Sequence, residues 1–501
     1  MFSRQSPAHS ESCQTCTGSR REFLWEMGAG FAGLALTGML DEDGFFASQA
    51  HAAVTRQADR YVDPLAPRAA HFAGKAKRCI FLFFYGGPSA VDTWDYKPEL
   101  QKRDGQTIDI EIRRNTFQQK QILGSQRKFC RYGKSGLWCS DAFPHISQVM
   151  DELCVIKSLY ADTFAHGSGM IQMNTGRITQ GYPSLGSWLG YGLGNVNNNL
   201  PGYVVMLDPR GGPISGSTNW SSGFMPAAYQ GTHLRNKGEP ILDLIPKEDM
   251  THEMQRHEFD TLAHLNAKHL ADRPGYSELP ARISSYELAY QLQSTAPEAM
   301  DLSTEDQKTL EMYGLFDPKP DHKLSVGSEP FGRQCLIGRR LLERGVRFVQ
   351  IYSGGGHQQE SWDAHAGMEE NLAIHAPEVD RPIHALITDL KRRGMLEDTL
   401  VICGGEFGRQ PVSQLSAGRD HNPKGFLYWM AGGGVKPGFS YGETDPLGHA
   451  AEENPRHIRD LHATILQLMG LDHEQLTYFY GGLDHKLTTV KPAQVIDEVV
   501  A

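Results

Sequence analysis

The sequence has few cysteines and no concentrated charge. Eight cysteines are spread over 501 residues, which excludes a small scaffold held together by disulfides. The formal net charge of −10 is distributed along the chain, and lysine and arginine never gather into a basic stripe, so binding to nucleic acid is not indicated. Internal repeats of solenoid type and low-complexity tracts of any length are also missing, which excludes a solenoid. A large ordinary globular protein is therefore expected.

A permanent transmembrane span is not expected either. The most apolar stretch near the N-terminus, residues 28–40, is too short to cross a bilayer. It follows residues 20–24, RREFL, in the layout of a twin-arginine export signal. We expect residues 1–52 to be a signal peptide and residues 53–74 a linker. The protein would then be carried, already folded, by the twin-arginine translocase to the periplasm or another extracytoplasmic compartment.

The cysteines predict free thiols more than a disulfide framework. Cys13 and Cys16 fall inside the predicted signal peptide, and their CxxC spacing has no matching second pair that would indicate a zinc site. The other six lie mostly in apolar runs, which is typical of buried free thiols. Cys130 and Cys139 are the one close pair that could bridge in an oxidising compartment.

Glycine is the abundant residue, at 53 positions, and many glycines form pairs or triples directly after apolar runs. Continuous apolar runs are typical of strands buried on both faces of a parallel sheet. Between them, apolar residues recur at helical spacing, as in residues 379–390, which end before Gly394. The predicted strands are residues 79–85, 153–158, 203–207, 346–352, 399–403 and 426–431.

Alternating helices and strands predict an α/β/α sandwich with a mostly parallel, doubly wound sheet. We expect one domain over residues 75–495. Residues 208–330 are polar, rich in Gly, Ser and His, and short of strand-like runs. They are expected to form an insertion or a cap over the sheet.

Polar side chains that suit a metal ion follow several predicted strands. Asp92 follows the first strand, and Asp363 and His365 come after the strand that ends at residue 352. Asp363 and His365 alternate, so an extended segment would place both on one face. Glu406 directly follows the strand of residues 399–403. Each of these residues, taken alone, could instead have a turn or helix-capping role. The strand ends of a parallel sheet converge on one edge, however, so these residues are expected to lie close together.

A fourth segment, Gly418-Arg-Asp-His-Asn-Pro423, is predicted to be a loop that brings His421 to the same place. Arg409 and Arg419 carry planar guanidinium groups that can steady an anionic oxygen. The expected ligands are oxygen and nitrogen atoms without thiolate. That set suits a divalent ion such as zinc, manganese, magnesium or calcium.

Seven motifs occur in this order: GGPSAVDTWD (86–95), HGSGMIQMNTGR (166–177), GGGHQQESWDAHAG (354–367), DTLVICGGEFGR (398–409), GRDHNP (418–423), AGGGVKPG (431–438) and HIRDLHATILQLMGLD (457–472). Together they resemble the exported domain-of-unknown-function family 1501 over residues 75–490. That family is similar to the alkaline phosphatase and sulfatase superfamily. The resemblance implies an α/β/α sandwich with a metal site at the strand edge.

The resemblance also implies roles for individual metal ligands. Asp92 stands where the superfamily keeps its first metal aspartate, and Asp363 with His365 resembles its later aspartate-histidine pair. Glu406 resembles the second acidic ligand and His421 the last histidine ligand. Phe407 stands where histidine or asparagine often follows that acidic ligand, so one ligand is missing from the pattern.

His166 stands at the position of the superfamily nucleophile, ten residues before Gly176, where relatives carry serine, threonine or a modified cysteine. Ser168 is near enough in sequence to present a hydroxyl instead.

The resulting hypothesis is a metal-dependent hydrolase of phosphate or sulfate esters, acting on an anionic small molecule or polysaccharide. His166 would be the nucleophile or general acid, and Arg409 or Arg419 would steady the anion. The alternative is a non-catalytic exported binding or structural protein that keeps the fold.

Overall fold

The computed structural model describes residues 63–113, 116–197, 199–235, 250–271, 278–356, 358–415 and 417–501. The predicted signal peptide and His357 of the third sequence motif lie outside these residues. The chain divides into two units, one of Met1–Tyr61 and Glu248–Pro274, the other of Val62–Lys247 and Gly275–Ala501. In the first unit, the described element is a helix over His252–Ala271. Apart from this helix, the elements described below belong to the second unit.

The α-helices within the described residues are α1 (Pro98–Lys102), α2 (His166–Thr175), α3 (Leu185–Leu193), α4 (His252–Ala271), α5 (Glu278–Met300), α6 (Gln307–Met312), α7 (Glu329–Glu343), α8 (Met368–Arg392) and α9 (Ile458–Leu468). None of these described helices is long and apolar enough to cross a membrane. Helix α8 contains the residues 379–390 that were predicted to be helical.

The described strands are β1 (Arg78–Phe84), β2 (Thr107–Arg113), β3 (Thr116–Gln121), β4 (Phe129–Tyr132), β5 (Leu137–Ser140), β6 (Leu153–Tyr160), β7 (Tyr203–Met206), β8 (Thr232–Leu234), β9 (Phe348–Ser353), β10 (Thr399–Gly404), β11 (Gly408–Gln414), β12 (Gly418–Asn422), β13 (Phe426–Ala431), β14 (Phe439–Tyr441), β15 (Glu443–Thr444), β16 (Ala451–Glu453), β17 (Arg456–His457), β18 (Tyr478–Tyr480) and β19 (Leu483–His485).

The central sheet is mostly parallel, as predicted. Its strand order is β14-β6-β13-β10-β1-β9-β7-β8, and β17 also pairs with β6. Strand β1 runs parallel to β9 and β10, whereas β13 runs antiparallel to both β10 and β6. Two reversals return β6 to the direction of β10, so β6, β10, β1 and β9 all end at one edge of the sheet.

Side-chain alternation along β1 explains the layers on both faces of the sheet. Ile80 and Leu82 pack in one apolar core with residues of α7 and α8, whereas Phe81 and Phe83 pack in another with residues of α3 and α9. Successive side chains of a strand point to opposite faces, so a strand that is apolar at every position needs cover on both sides. The result is the predicted α/β/α sandwich.

The segment predicted to be an insertion or cap contributes to the sheet and to one core. Strand β8 lies at the sheet edge and pairs in parallel with β7. Leu292 and Ala299 of α5 belong to the same core as α7 and α8.

The hairpin of β11 and β12 lies between β10 and β13 in the chain and forms its own two-stranded sheet. Its register places Arg409 opposite His421 and Gln414 opposite Gly418. The GRDHN segment is therefore a strand and not the predicted loop, because pairing with β11 satisfies its backbone groups.

Six cysteines in the described residues are free thiols. Cys130 of β4 faces Cys139 of β5 in the antiparallel register.

Candidate metal centre

Four side chains meet at the edge where the parallel strands end. His166 is the first residue of α2, which follows β6. Asp363 and His365 lie in the loop after β9, and His421 lies on β12. Helix α2 ends at Gly176, whose φ of 73° suits glycine, and a Cβ there would lie 2.1 Å from the Leu487 carbonyl oxygen. This close approach of the Leu487 carbonyl fixes the C-terminal end of α2.

We call His166, Asp363, His365 and His421 the histidine cluster. One potential ligand atom from each of the four lies within 4.8 Å of all the others. The three Nε2 atoms surround Asp363 Oδ1, at 3.2 Å for His166, 2.9 Å for His365 and 3.2 Å for His421. The four side chains are 11–25% exposed, so the cluster faces solvent through an opening and is not sealed in the core.

Each imidazole of the cluster has its other nitrogen against a protein oxygen. Carbonyl and carboxylate oxygens only accept hydrogen bonds, so each Nδ1 donates its hydrogen. The contacts are His166 Nδ1 to Glu406 Oε1 at 2.6 Å, His365 Nδ1 to Gln414 Oε1 at 2.6 Å and His421 Nδ1 to the Phe164 carbonyl oxygen at 2.7 Å.

The Nδ1 contacts determine which atom of each imidazole faces the centre of the cluster. A neutral imidazole that donates through Nδ1 presents a lone pair at Nε2. Three such lone pairs and a carboxylate oxygen then face one another, and all four are acceptors. His166 Nε2 is a buried atom without a hydrogen-bond partner, although it lies 3.2 Å from Asp363 Oδ1. The arrangement requires positive charge at its centre, from protons or from a cation.

The pKa values of the four residues also indicate that the centre of the cluster favours positive charge. Burial opposes charge on His166, but its contacts with Asp363 and Glu406 outweigh burial and raise its pKa to about 9. The hydrogen bond to Asp363 likewise raises the pKa of His365, whereas burial lowers that of His421 to about 4. Burial would raise the pKa of Asp363, but the three imidazoles and Arg409 hold it well below its usual range. A cation at the centre would take the place of these protons.

The donor set fits a divalent metal. Imidazole nitrogens and a carboxylate oxygen are typical zinc ligands, and they also serve manganese. Oriented Nδ1 hydrogen bonds are the usual support of metal-binding histidines.

Glu406 does not point into the centre but supports His166 from behind. Its side chain is fully buried, and the Gly86 backbone N–H donates to Oε1 at 3.0 Å and to Oε2 at 3.2 Å.

Arg409 and Arg419 are fully buried and bound to the protein. Arg409 donates to the Gly86, Gly87 and Arg419 carbonyl oxygens and, at 2.6 Å, to Asp363 Oδ1. Arg419 donates to Asp92 Oδ2 at 2.7 Å and Oδ1 at 3.1 Å. Burial opposes ionisation of Asp92, but Arg419 overcomes it and lowers the pKa of this carboxyl group. Asp92 is not among the four residues of the cluster.

Ser168 and Phe407 complete the surroundings. Ser168 Oγ lies 2.7 Å from Thr163 Oγ1 and donates to the Ala165 carbonyl oxygen at 3.3 Å, so it braces the first turn of α2. The buried Phe407 ring packs against the imidazoles of His166 and His421, with centroid distances of 5.0 and 4.5 Å.

Gln414 and the Phe164 carbonyl could not be selected from the sequence. Gln414 reaches His365 through the β11–β12 hairpin, part of which was predicted to be a loop. A backbone carbonyl has no side-chain signature at all.

Comparison with known proteins gives a family and several distant structures. The family described as "Protein of unknown function (DUF1501)" matches residues 76–500, which confirms the resemblance of the motifs. No curated protein matches the chain.

Three solved structures illustrate the likeness. The PsFucS1 sulfatase from Pseudoalteromonas sp. has 14% identity and a TM-score of 0.34, with 86% of this chain and 72% of that chain covered. The phosphonate monoester hydrolase SpPMH from Silicibacter pomeroyi has 14% identity and a TM-score of 0.30, with 66% and 68% covered. A TAB5 alkaline phosphatase mutant has 10% identity and a TM-score of 0.35, with 80% and 99% covered.

Proposed function

This chain belongs to the DUF1501 family of proteins of unknown function, and we propose that it is an exported metal-dependent hydrolase of phosphate or sulfate esters. The histidine cluster would hold the divalent ion. The observation that carries this proposal is the convergence of three oriented imidazoles on one carboxylate oxygen. A divalent ion bound there supplies Lewis-acid polarisation of an ester oxygen and activation of water.

The residues of the chain then have distinct tasks in this proposal. His166 is a ligand and not the nucleophile, because its Nε2 faces the same point as those of His365 and His421. Arg409 orients Asp363 through a 2.6 Å hydrogen bond. In this proposal an anionic ester, small or polymeric, approaches the cluster from its solvent-exposed side, while the buried Phe407 ring packs on the His166 and His421 imidazoles.

Arg409 and Arg419 act in the proposal as positioning residues. Both guanidinium groups are fully buried, so they hold protein oxygens and do not meet the substrate. Ser168 remains the hydroxyl next to the cluster in sequence, and its proposed task is to brace α2.

The second candidate is a metal-binding protein without turnover. It is favoured by the composition of the cluster, since none of its four members carries a hydroxyl and the two nearby arginines are buried. The fold and the ion would then serve binding or assembly.

Metal content and turnover separate these functions. The full chain is loaded with zinc or manganese, its bound metal is quantified, and hydrolysis of aryl phosphates and aryl sulfates is measured with and without chelator. Asp363→Asn is the matched control. Chelator-sensitive turnover that this variant lacks supports the hydrolase. Bound metal without turnover on either ester class contradicts the hydrolase and supports the second candidate. A chain that binds no metal contradicts both.

Export is a separate part of the proposal, supported by the RREFL motif and the apolar stretch that follows it. The double variant Arg20→Lys, Arg21→Lys keeps the charge but removes the paired guanidinium groups. We expect it to remain uncleaved in the cytoplasm, while the wild-type chain is recovered outside the inner membrane. Equal export of both chains would contradict the twin-arginine route.

A further inference from the structure

Among the residues that the structure describes, Glu406 is the one buried carboxylate that touches a member of the histidine cluster without belonging to it. Its Oε1 accepts from His166 Nδ1 at 2.6 Å, and both its oxygens accept from the Gly86 N–H. The position of Glu406 after β10 predicts a metal ligand. Its side chain is instead committed to the far side of a ligand ring.

Neighbouring residues fix the carboxylate in this place. The preceding carbonyl, that of Gly405, accepts a 2.7 Å hydrogen bond from the Tyr428 hydroxyl. On the other side, a Cβ at Gly169 of α2 would lie 3.3 Å from the Cβ of Glu406. Helix α2 therefore packs tightly against Glu406, and His166 and Glu406 have little room to part.

The three imidazoles of the cluster differ in what holds them. His365 is held by the neutral side-chain amide of Gln414, and His421 by the backbone carbonyl of Phe164. His166 alone is held by a carboxylate group. A carboxylate behind a metal-binding imidazole fixes its tautomer and raises its strength as a ligand more than a neutral acceptor does.

We infer that Glu406 is a positioning residue for the metal centre, which keeps His166 in the Nδ1–H tautomer and strengthens Nε2 as a ligand. The inference rests on the proposed metal-binding function of the cluster. In this inference the negative charge of Glu406 acts on the His166 imidazole, and the carboxylate does not contact the ion.

Glu406→Gln tests the charge separately from the hydrogen bonds. The single Oε1 of glutamine can still accept from both His166 Nδ1 and the Gly86 N–H, because Glu406 Oε1 already contacts both. The matched control is Asp420→Asn, which also removes one negative charge near the cluster. Asp420 is partly exposed and lies 3.9 Å from His365 Nδ1, too far for a hydrogen bond.

Two measurements are made on the full chain: zinc affinity by competition with a chromogenic chelator, and the visible spectrum of the cobalt-substituted protein, which reports the ligand field. We expect Glu406→Gln to bind zinc about 10- to 100-fold more weakly and to shift the cobalt bands. Asp420→Asn should keep both properties near wild type. Thermal unfolding in chelator checks that each variant is folded.

If Glu406→Gln does not fold, Glu406→Asp takes its place, since it keeps the charge but shortens the reach to His166. Its zinc affinity should fall by about tenfold. Unchanged affinity and an unchanged cobalt spectrum in the folded variant would overturn the inference, as would an equal effect of Asp420→Asn. Failure of the wild-type chain to bind zinc or cobalt would instead overturn the proposed function itself.

Discussion

Two layers of titratable side chains lie at the same sheet edge and differ in their exposure to solvent. The outer layer is the histidine cluster, whose side chains are 11–25% exposed. The inner layer contains Asp92, Glu406, Arg409 and Arg419, which are at most 1% exposed. Both aspartates accept from a buried guanidinium, Asp363 Oδ1 from Arg409 at 2.6 Å and both oxygens of Asp92 from Arg419. Asp363 Oδ1 also faces three imidazole nitrogens, whereas Asp92 is not part of the cluster. The additional imidazole neighbours, and not the residue type, therefore make Asp363 the aspartate that suits an ion.

The difference has an energetic reason. A carboxylate sealed in the interior needs a full charge beside it, and Arg419 supplies that charge to Asp92. Asp363 also has a guanidinium beside it, that of Arg409, but it borders solvent and faces three imidazole nitrogens, so an exchangeable cation can join it. We expect the Asp92–Arg419 pair of the inner layer to control folding stability, and the outer layer, with the Glu406 that supports it, to control metal content.

Removing the inner guanidinium should have the largest effect. Arg419→Met leaves the Asp92 carboxylate buried without a partner, and we expect the free energy of unfolding to fall by about 3–5 kcal/mol. Urea unfolding in the presence of chelator measures this without any contribution from a bound ion. The double variant that adds Asp92→Asn should recover part of the loss. A single variant as stable as wild type would show that the two layers do not differ in this way.

Removing the outer carboxylate should act on the metal instead. Asp363→Asn takes away the one anionic donor of the cluster, and we expect zinc affinity to fall on the order of 100-fold, equivalent to about 2.8 kcal/mol. Competition with a chelator gives the affinity. Its stability in chelator should change less than that of Arg419→Met, and the reverse order would contradict the division into layers.

Metal removal should destabilise the wild-type chain much more than Asp363→Asn. At a free ion concentration of 100 times the wild-type dissociation constant, binding adds about 2.7 kcal/mol to the native state of wild type and about 0.4 kcal/mol to that of a variant that binds 100-fold more weakly. Thermal unfolding with and without chelator should therefore differ clearly for wild type and only slightly for Asp363→Asn. Identical shifts in both proteins would place the ion elsewhere.

Loss of a neutral support should weaken the cluster moderately. Gln414→Ala leaves the Nδ1 of His365 without its acceptor, and we expect about tenfold weaker zinc binding. The effect should be smaller than that of Glu406→Gln if the carboxylate charge matters. Equal losses of zinc affinity in the two variants would mean that the orientation of the imidazole, and not the charge of the carboxylate, sets the affinity.

Removing the nearby hydroxyl should matter least. Ser168→Ala loses the hydrogen bond to Thr163, which is worth about 0.5–1.5 kcal/mol, and metal content and turnover should stay near wild type. If turnover disappears while the metal stays bound, Ser168 is the nucleophile and not only a brace for α2.

The fold could be predicted because its signal is local. Strands buried on both faces must be apolar at consecutive positions, and the predicted strand of residues 426–431 coincides with β13. The convergence of strand ends at one edge follows from parallel pairing, so the region of the site was also accessible from sequence.

The division of roles within the site was not accessible in this way. An arginine reaches each aspartate, and Asp363 differs because the register that places Arg409 opposite His421 lets both of these side chains contact it. The pattern of residues 418–423 predicts a loop and not this strand. The role of Glu406 likewise depends on close packing of α2 through Gly169, a tertiary contact without a local pattern.

The metal content of His166→Ala, compared with that of wild type, tests the central claim most directly. Both full-length chains are purified, loaded with the same divalent ion, passed through a desalting column with a weak chelator, and measured by elemental analysis. The account predicts that wild type retains its ion and that His166→Ala loses it, because Nε2 of His166 is one of the four donors. Retention of the ion by His166→Ala together with loss of turnover would contradict the account and make His166 a reacting group.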